Sequence, residues 1–189
     1  MYVHPGASFY IGGTTIGYDL ISYQADLIEL GDVNNGSSDT IVGNDAFIIG
    51  TVGTLPYGEF ICQTRVGHDL VVANTAATAT GWDIGAPEPA NCGRNARYGP
   101  RFADTVGYDG IFYDNAGAYL DVGSNQPAFN GGTGPGFGHD LVFTGNDEGF
   151  NDLTDNTVVY DCSQSNNHPY LGAGNTAGHN ADTCNSANT

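Results

Sequence analysis

Lysine is absent from this chain of 189 residues, and four arginines (Arg65, Arg94, Arg97, Arg101) stand against 21 acidic residues. Without a lysine amine there is no Schiff-base chemistry, no P-loop lysine and no Lys–Asn cross-link. A formal net charge of −17 leaves no basic footprint for nucleic acid, and anionic membrane surfaces repel such a chain. Strong helix formers are scarce: methionine occurs once and glutamate four times, which argues against long helices. No apolar run approaches the ~20 residues needed to span a bilayer as a helix. The start, Met1-Tyr2-Val3-His4-Pro5-Gly6, has neither a basic nor an apolar signal region, as expected of a mature form.

Catalytic and metal signatures are missing as well. There is no CxxC pair, no HExxH and no G-x-S-x-G, so zinc sites and serine-nucleophile elbows find no support. Many aspartates are available to a two-carboxylate glycosidase, but no spacing points to one. The chain is therefore read as a non-enzyme. The four cysteines, Cys62, Cys92, Cys162 and Cys184, are expected to form two disulfides, which implies an oxidising, extracellular compartment. Proximity favours Cys62–Cys92 and Cys162–Cys184, with 29 and 21 residues between the partners. Each closure would contribute roughly 3 kcal/mol on the chain-entropy model.

What is present is glycine, tyrosine, asparagine and above all aspartate, 17 of the 21 acids. Apolar runs recur about every ten residues between Gly, Asn and Asp. They predict strands at 9–11, 18–23, 26–30, 40–42, 46–52, 59–65, 69–74, 110–113, 118–122, 140–144 and 157–161. The expected fold is all-β, a β-sandwich or jelly roll with long Gly/Asn/Asp-rich loops. Its organisation is an N-terminal segment (1–13), a sandwich (14–162) and a loop-rich tail (163–189) tied back by a disulfide. One pattern recurs: Gly17-Tyr18-Asp19-Leu20-Ile21, Gly67-His68-Asp69-Leu70-Val71 and Gly138-His139-Asp140-Leu141-Val142, with a weaker Gly107-Tyr108-Asp109-Gly110-Ile111. Its uneven spacing argues against a solenoid repeat. It is read as a strand start, with Asp19, Asp69 and Asp140 as alternative metal ligands.

Short carboxylate side chains clustered in turns suit a hard cation, and calcium is the expected ion. Asp32, Asn34 and Asp39 surround a Gly turn; the same stretch also reads as a plain hairpin turn, or as a glycan site at Asn35 in Asn35-Gly36-Ser37. Asp147, Asp152 and Asp155 form a second cluster, read equally as a solvated loop. Asp109, Asp114 and Asp121 form a weaker third. Aromatics near Gly and Pro suit either glycan stacking or subunit interfaces.

Gly138–Thr144 resembles the Gly-x-Asp-Val-Val-Tyr strand of secreted bacterial pre-peptidase C-terminal β-sandwich domains, and Gly67–Val72 echoes it. The whole profile, an acidic lysine-free β-domain with an apolar N-terminal segment, is similar to extracellular fibril subunits of environmental microbes. That resemblance implies helical polymers joined by an N-terminal strand given to a neighbour. Independently, Ala7–Ile11 is a β-prone run set off by Gly12-Gly13, so Phe9, Tyr10 and Ile11 could complete a neighbour's sheet edge or start the chain's own sheet. The expectation is a structural subunit of an extracellular filament, self-assembling and calcium-stabilised. The alternative is a calcium-dependent carbohydrate-binding or adhesion module whose partners are glycans.

Overall fold

The computed structural model describes residues 1–31, 40–53, 59–79, 81–85, 104–123, 136–147 and 149–188. Its strands are short, and most alternate buried residues with more exposed ones. Every strand but the last pairs in parallel with the equivalent strand one coil away, and the last pairs antiparallel. Parallel neighbours need a long connection between them. Here the other sides of the same coil supply it, so the chain winds as a solenoid with three faces.

The first coil holds β1 (Tyr2–Val3) and β2 (Ser8–Ile11). The second holds β3 (Thr15–Ile16), β4 (Leu20–Tyr23) and β5 (Leu27–Leu30). The third holds β6 (Thr40–Val42), β7 (Ala46–Ile49) and β8 (Glu59–Ile61), and the fourth β9 (Thr64–Val66), β10 (Leu70–Ala73) and β11 (Trp82–Ile84). The fifth has β12 (Thr105–Val106), β13 (Gly110–Tyr113) and β14 (Leu120–Gly123). In the sixth, Phe137 bridges Val106 and Val158, followed by β15 (Leu141–Thr144) and β16 (Asn151–Thr154). The seventh has β17 (Thr157–Val158), β18 (Cys162–Ser165) and β19 (Tyr170–Ala173). The last has β20 (Thr176–Ala177), a 3-10 turn Thr183–Asn185 and β21 (Ala187–Asn188).

Face A is the sheet β1-β4-β7-β10-β13-β15-β18, and face B is β2-β5-β8-β11-β14-β16-β19-β21. Face C consists of β3, β6, β9 and β12 continued through Phe137 to β17 and β20. Inward rows fill the interior: Ile48, Val72, Phe112 and Phe143 from face A, Ile61, Ile84, Val122 and Leu153 from face B, and Val42, Val66, Val106 and Phe137 from face C. Packing is shape-specific. A Cβ on Gly110 would lie 2.3 Å from the Phe137 ring, so the glycine makes room for that phenyl group.

All-β is therefore right, but the sandwich or jelly roll is replaced by a parallel solenoid. Uneven spacing misled because Leu20, Ala46, Leu70, Gly110, Leu141 and Cys162 occupy one row while the coils advance by 26, 24, 40, 31 and 21 residues (46 − 20, 70 − 46, 110 − 70, 141 − 110, 162 − 141). Coils of differing length still keep one register between their strands. The stretch 163–189 is not a loop-rich tail: it contributes strands to all three faces. The segment 1–13 likewise forms the first coil, with β2 paired in parallel to β5 (Phe9 opposite Ile28, Ile11 opposite Leu30).

Cys162 and Cys184 form a disulfide, as proximity predicts. No described cysteine is free, and Cys92 lies outside the described residues. Buried asparagines stack at the turns. The Asn115 side-chain amide donates to Asn146 Oδ1 at 2.9 Å and to the Val72 carbonyl; Asn146 donates onward to Asn167 Oδ1 at 2.9 Å. A second ladder runs from Asn156 to Asn175, which in turn accepts and donates through Asn185. A stacked solenoid repeats its turns in register, so each amide finds its neighbour's carbonyl and the buried polar groups are met.

Candidate functional site

The recurring Gly-x-Asp pattern builds the most distinctive surface of the molecule, the corner between faces C and A. Seven equivalent tripeptides stack there: 17–19, 43–45, 67–69, 107–109, 138–140, 159–161 and 178–180. Glycine at the first position lets the coils approach, since a Cβ on Gly107 would meet the Gly67 carbonyl oxygen at 2.1 Å.

The third position forms a carboxylate ladder in which each aspartate serves the next coil. Asp45 Oδ1 accepts the Asp69 N–H at 3.1 Å, Asp69 Oδ1 that of Asp109 at 3.1 Å, Asp109 Oδ1 that of Asp140 at 3.0 Å, and Asp140 Oδ1 that of Asp161 at 3.1 Å. Carboxylates one strand spacing apart repel, and the main-chain donors between them offset that repulsion.

The middle position carries a ring in every tripeptide but 43–45, where it is Asn44. His68, Tyr108, His139, Tyr160 and His179 stack at 4.9, 4.5, 5.2 and 5.1 Å between centroids, nearly parallel throughout. Three imidazoles are oriented by the carboxylate of the preceding coil: His68 by Asp45 (3.0 Å), His139 by Asp109 (3.0 Å) and His179 by Asp161 (2.8 Å), each through Nδ1. Asp45, His68 and Asp69, and likewise Asp109, His139 and Asp140, each bring three donor atoms close enough for a cation. Chemically the corner offers carboxylate oxygens, imidazole nitrogens and tyrosine edges to solvent. The ring faces inside the stack are covered by neighbouring rings.

The residues predicted as metal ligands fare differently. Asp32, Asn34 and Asp39, with Asn35 of the glycosylation sequon, lie outside the described residues. Asp147 and Asp155 are exposed and Asp152 half-buried. Asp152 points outward from face B with Asp121 beside it in register. Its carboxyl is pushed above the usual range, chiefly by burial and further by the Asp155 charge, while a bond from Thr154 acts the other way. Among the described residues, the three-residue groupings that suit a cation lie at the Gly-x-Asp corner and not at Asp147, Asp152 and Asp155. Within that predicted cluster, Asn146 and Asn151 turn inward and are fully buried. Of the third cluster, Asp109 joins the corner, whereas Asp114 and Asp121 fall elsewhere on the coil.

Sequence reasoning missed three rungs: Asn44-Asp45, Tyr160-Asp161 and His179-Asn180. A looser pattern, Gly or Val, then any residue, then Asp or Asn, would have found them.

The ends of the solenoid form a second notable surface. β1, β2 and β3 begin faces A, B and C, with no described strand beyond them. The partly buried hydrophobic residues that join the core are Ala7, Phe9 and Ile11 at one end and Ala177 and Ala181 at the other. Residues 1–18 contain no Asp or Glu, and residues 163–189 contain one, Asp182. The remaining twenty acids therefore fall between Asp19 and Asp161 in the sequence.

No helix among the described residues is long and apolar enough to cross a membrane. The disulfide is compatible with an oxidising compartment. Comparison of the chain with protein-family models, with curated proteins and with solved structures finds no match.

Proposed function

We propose that this chain is a structural subunit of an extracellular filament, without a catalytic role, and that it assembles end to end by strand addition. The observation that carries the reading is the pair of ends. The leading strands of all three faces, β1 and β2 of the first coil and β3 of the second, have no described strand beyond them, the core's partly covered hydrophobic residues sit in the first and last coils, and the acids concentrate between them in the sequence. Open edges invite added strands. Charged flanks repel lateral neighbours, so growth along the axis is favoured over clumping. Because β2 is already part of its own face B, the reading shifts from a strand donated away from its body to an edge shared between two bodies.

Calcium belongs to the proposal as a stabiliser of the in-register carboxylates at the corner, where an ion would reduce repulsion that the main-chain donors only partly offset. Negative-stain electron microscopy of the purified protein, with and without EDTA, tests the whole reading. Regular fibres that thin out or shorten with EDTA are expected. Dispersed particles under both conditions would remove the filament reading.

One observation favours the alternative, a glycan-binding or adhesion module: Tyr18 at the ladder's first rung is 82% exposed. Binding on a glycan array that is lost in Tyr18→Ala would support it.

A further inference from the structure

We propose that successive subunits join through an antiparallel pair between β2 of one copy and β21 of another, centred on Ser8 opposite Ala187. This rests on the end-to-end reading above and names its junction; the occupant of each end is a second copy of this chain.

The direction of β21 is the first argument. Every other strand of face B runs parallel to its neighbours, whereas β21 runs antiparallel to β19. A second copy stacked along the same axis presents β2 antiparallel to β21, and face B then continues unbroken from one copy to the next.

The second argument is which main-chain groups point outward. The Ala7 and Ile11 carbonyls accept the N–H groups of Asp26 and Gly31. By the alternation of a strand, the N–H and C=O of Ser8 therefore turn away from β5, toward the end of the solenoid. At the other end the Ser186 carbonyl accepts the Gly172 N–H at 2.8 Å, so the N–H and C=O of Ala187 turn away from β19. Ser8 and Ala187 can exchange two hydrogen bonds.

The third argument is which way the side chains face. Ser8 is exposed while Phe9 beside it packs against the core. Ala187 is in register with Leu171, which is 42% exposed. Both side chains thus lie on the outer surface of face B, and the pairing keeps outer with outer and core with core. It sets Ala7, Phe9 and Ile11 of one copy toward Ala177 and Ala181 of the other, and it brings together the two regions poorest in carboxylates. The contact joins two different surfaces, so it does not close and builds a fibre.

Ala187→Pro tests the junction. It removes an N–H that points away from β19, leaving the bonds made by Ser186 and Asn188. Ser186, at φ −100° and ψ 166°, is already in the extended region that a following proline requires. In the full chain, wild type is expected to form fibres by electron microscopy and to grow with concentration in light scattering. Ala187→Pro is expected to remain monomeric with an unchanged circular dichroism spectrum and thermal midpoint. As an independent measure, Ser8→Cys with Ala187→Cys in one chain, oxidised, should give a ladder of covalent multimers on a non-reducing gel, while each single variant stops at dimer or monomer. Fibres of Ala187→Pro as abundant as wild type, or no ladder from the double variant while fibres form, would overturn the junction and leave the filament reading standing. A wild type monomeric at every concentration, or one that stops at a dimer, would overturn both.

Discussion

Asp152 carries a carboxyl that burial and the neighbouring Asp155 hold above its ordinary range. Its folded state binds the proton more readily than the unfolded chain, so its contribution to stability falls as pH rises through that raised value. Asp152→Asn is therefore expected to raise the thermal midpoint at pH 7 and to leave it unchanged near pH 3, as differential scanning fluorimetry would read. Asp109 is tied in by contacts instead: its Oδ1 lies 3.0 Å from both the Asp140 N–H and the His139 Nδ1. Asp109→Ala leaves both without that acceptor and should cost about 1–3 kcal/mol in urea denaturation, with Asp109→Asn retaining part of it.

Turns rather than strands distinguish this solenoid at the scale of its elements. The strands alone, two to four residues each, could pair in many registers. The buried amides of Asn115, Asn146 and Asn167 couple three successive coils at one corner. Asn146→Leu removes the middle amide and leaves buried partners on both sides, so a loss of at least about 2 kcal/mol is expected from chemical denaturation. The last coil is secured differently, by the Cys162–Cys184 bridge and by the Tyr170 hydroxyl donating to the Cys184 carbonyl at 2.8 Å. Replacing both cysteines with serine should lower stability by roughly 3 kcal/mol on the loop-entropy model. Protection from hydrogen exchange should fall first in 176–188, since the bridge ties only that end.

At the scale of the whole molecule the acids concentrate in the middle of the sequence, with none before Asp19 and one, Asp182, after Asp161. Excess EDTA is expected to lower the thermal midpoint of the full chain if calcium shields the corner carboxylates, whereas added monovalent salt should raise it through screening alone. An unchanged midpoint in EDTA, with the salt effect intact, would show that main-chain donors and histidines suffice. The same distribution favours a junction at the ends: twenty of the 21 acids lie between Asp19 and Asp161 in the sequence, and none lies in the first eighteen residues.

Local chemistry alone determined a good deal. The lack of helix formers set the all-β class, Gly, Asn and Asp marked the turns, and the apolar runs between them located strands at 18–23, 46–52, 69–74 and 110–113 to within a few residues. The short spacing of Cys162 and Cys184 named their bridge. The pattern Gly-x-Asp was legible as a strand start at four of its seven positions. What the sequence did not decide was which strand lies beside which. Alternation is a property of one strand and fits a sandwich and a solenoid equally, whereas the parallel register of Leu20, Ala46 and Leu70 arises only when coils of unequal length close on one another. Only that stacking turned scattered aspartates, histidines and tyrosines into a continuous ladder, because residues 18 to 40 positions apart meet solely through the coil between them.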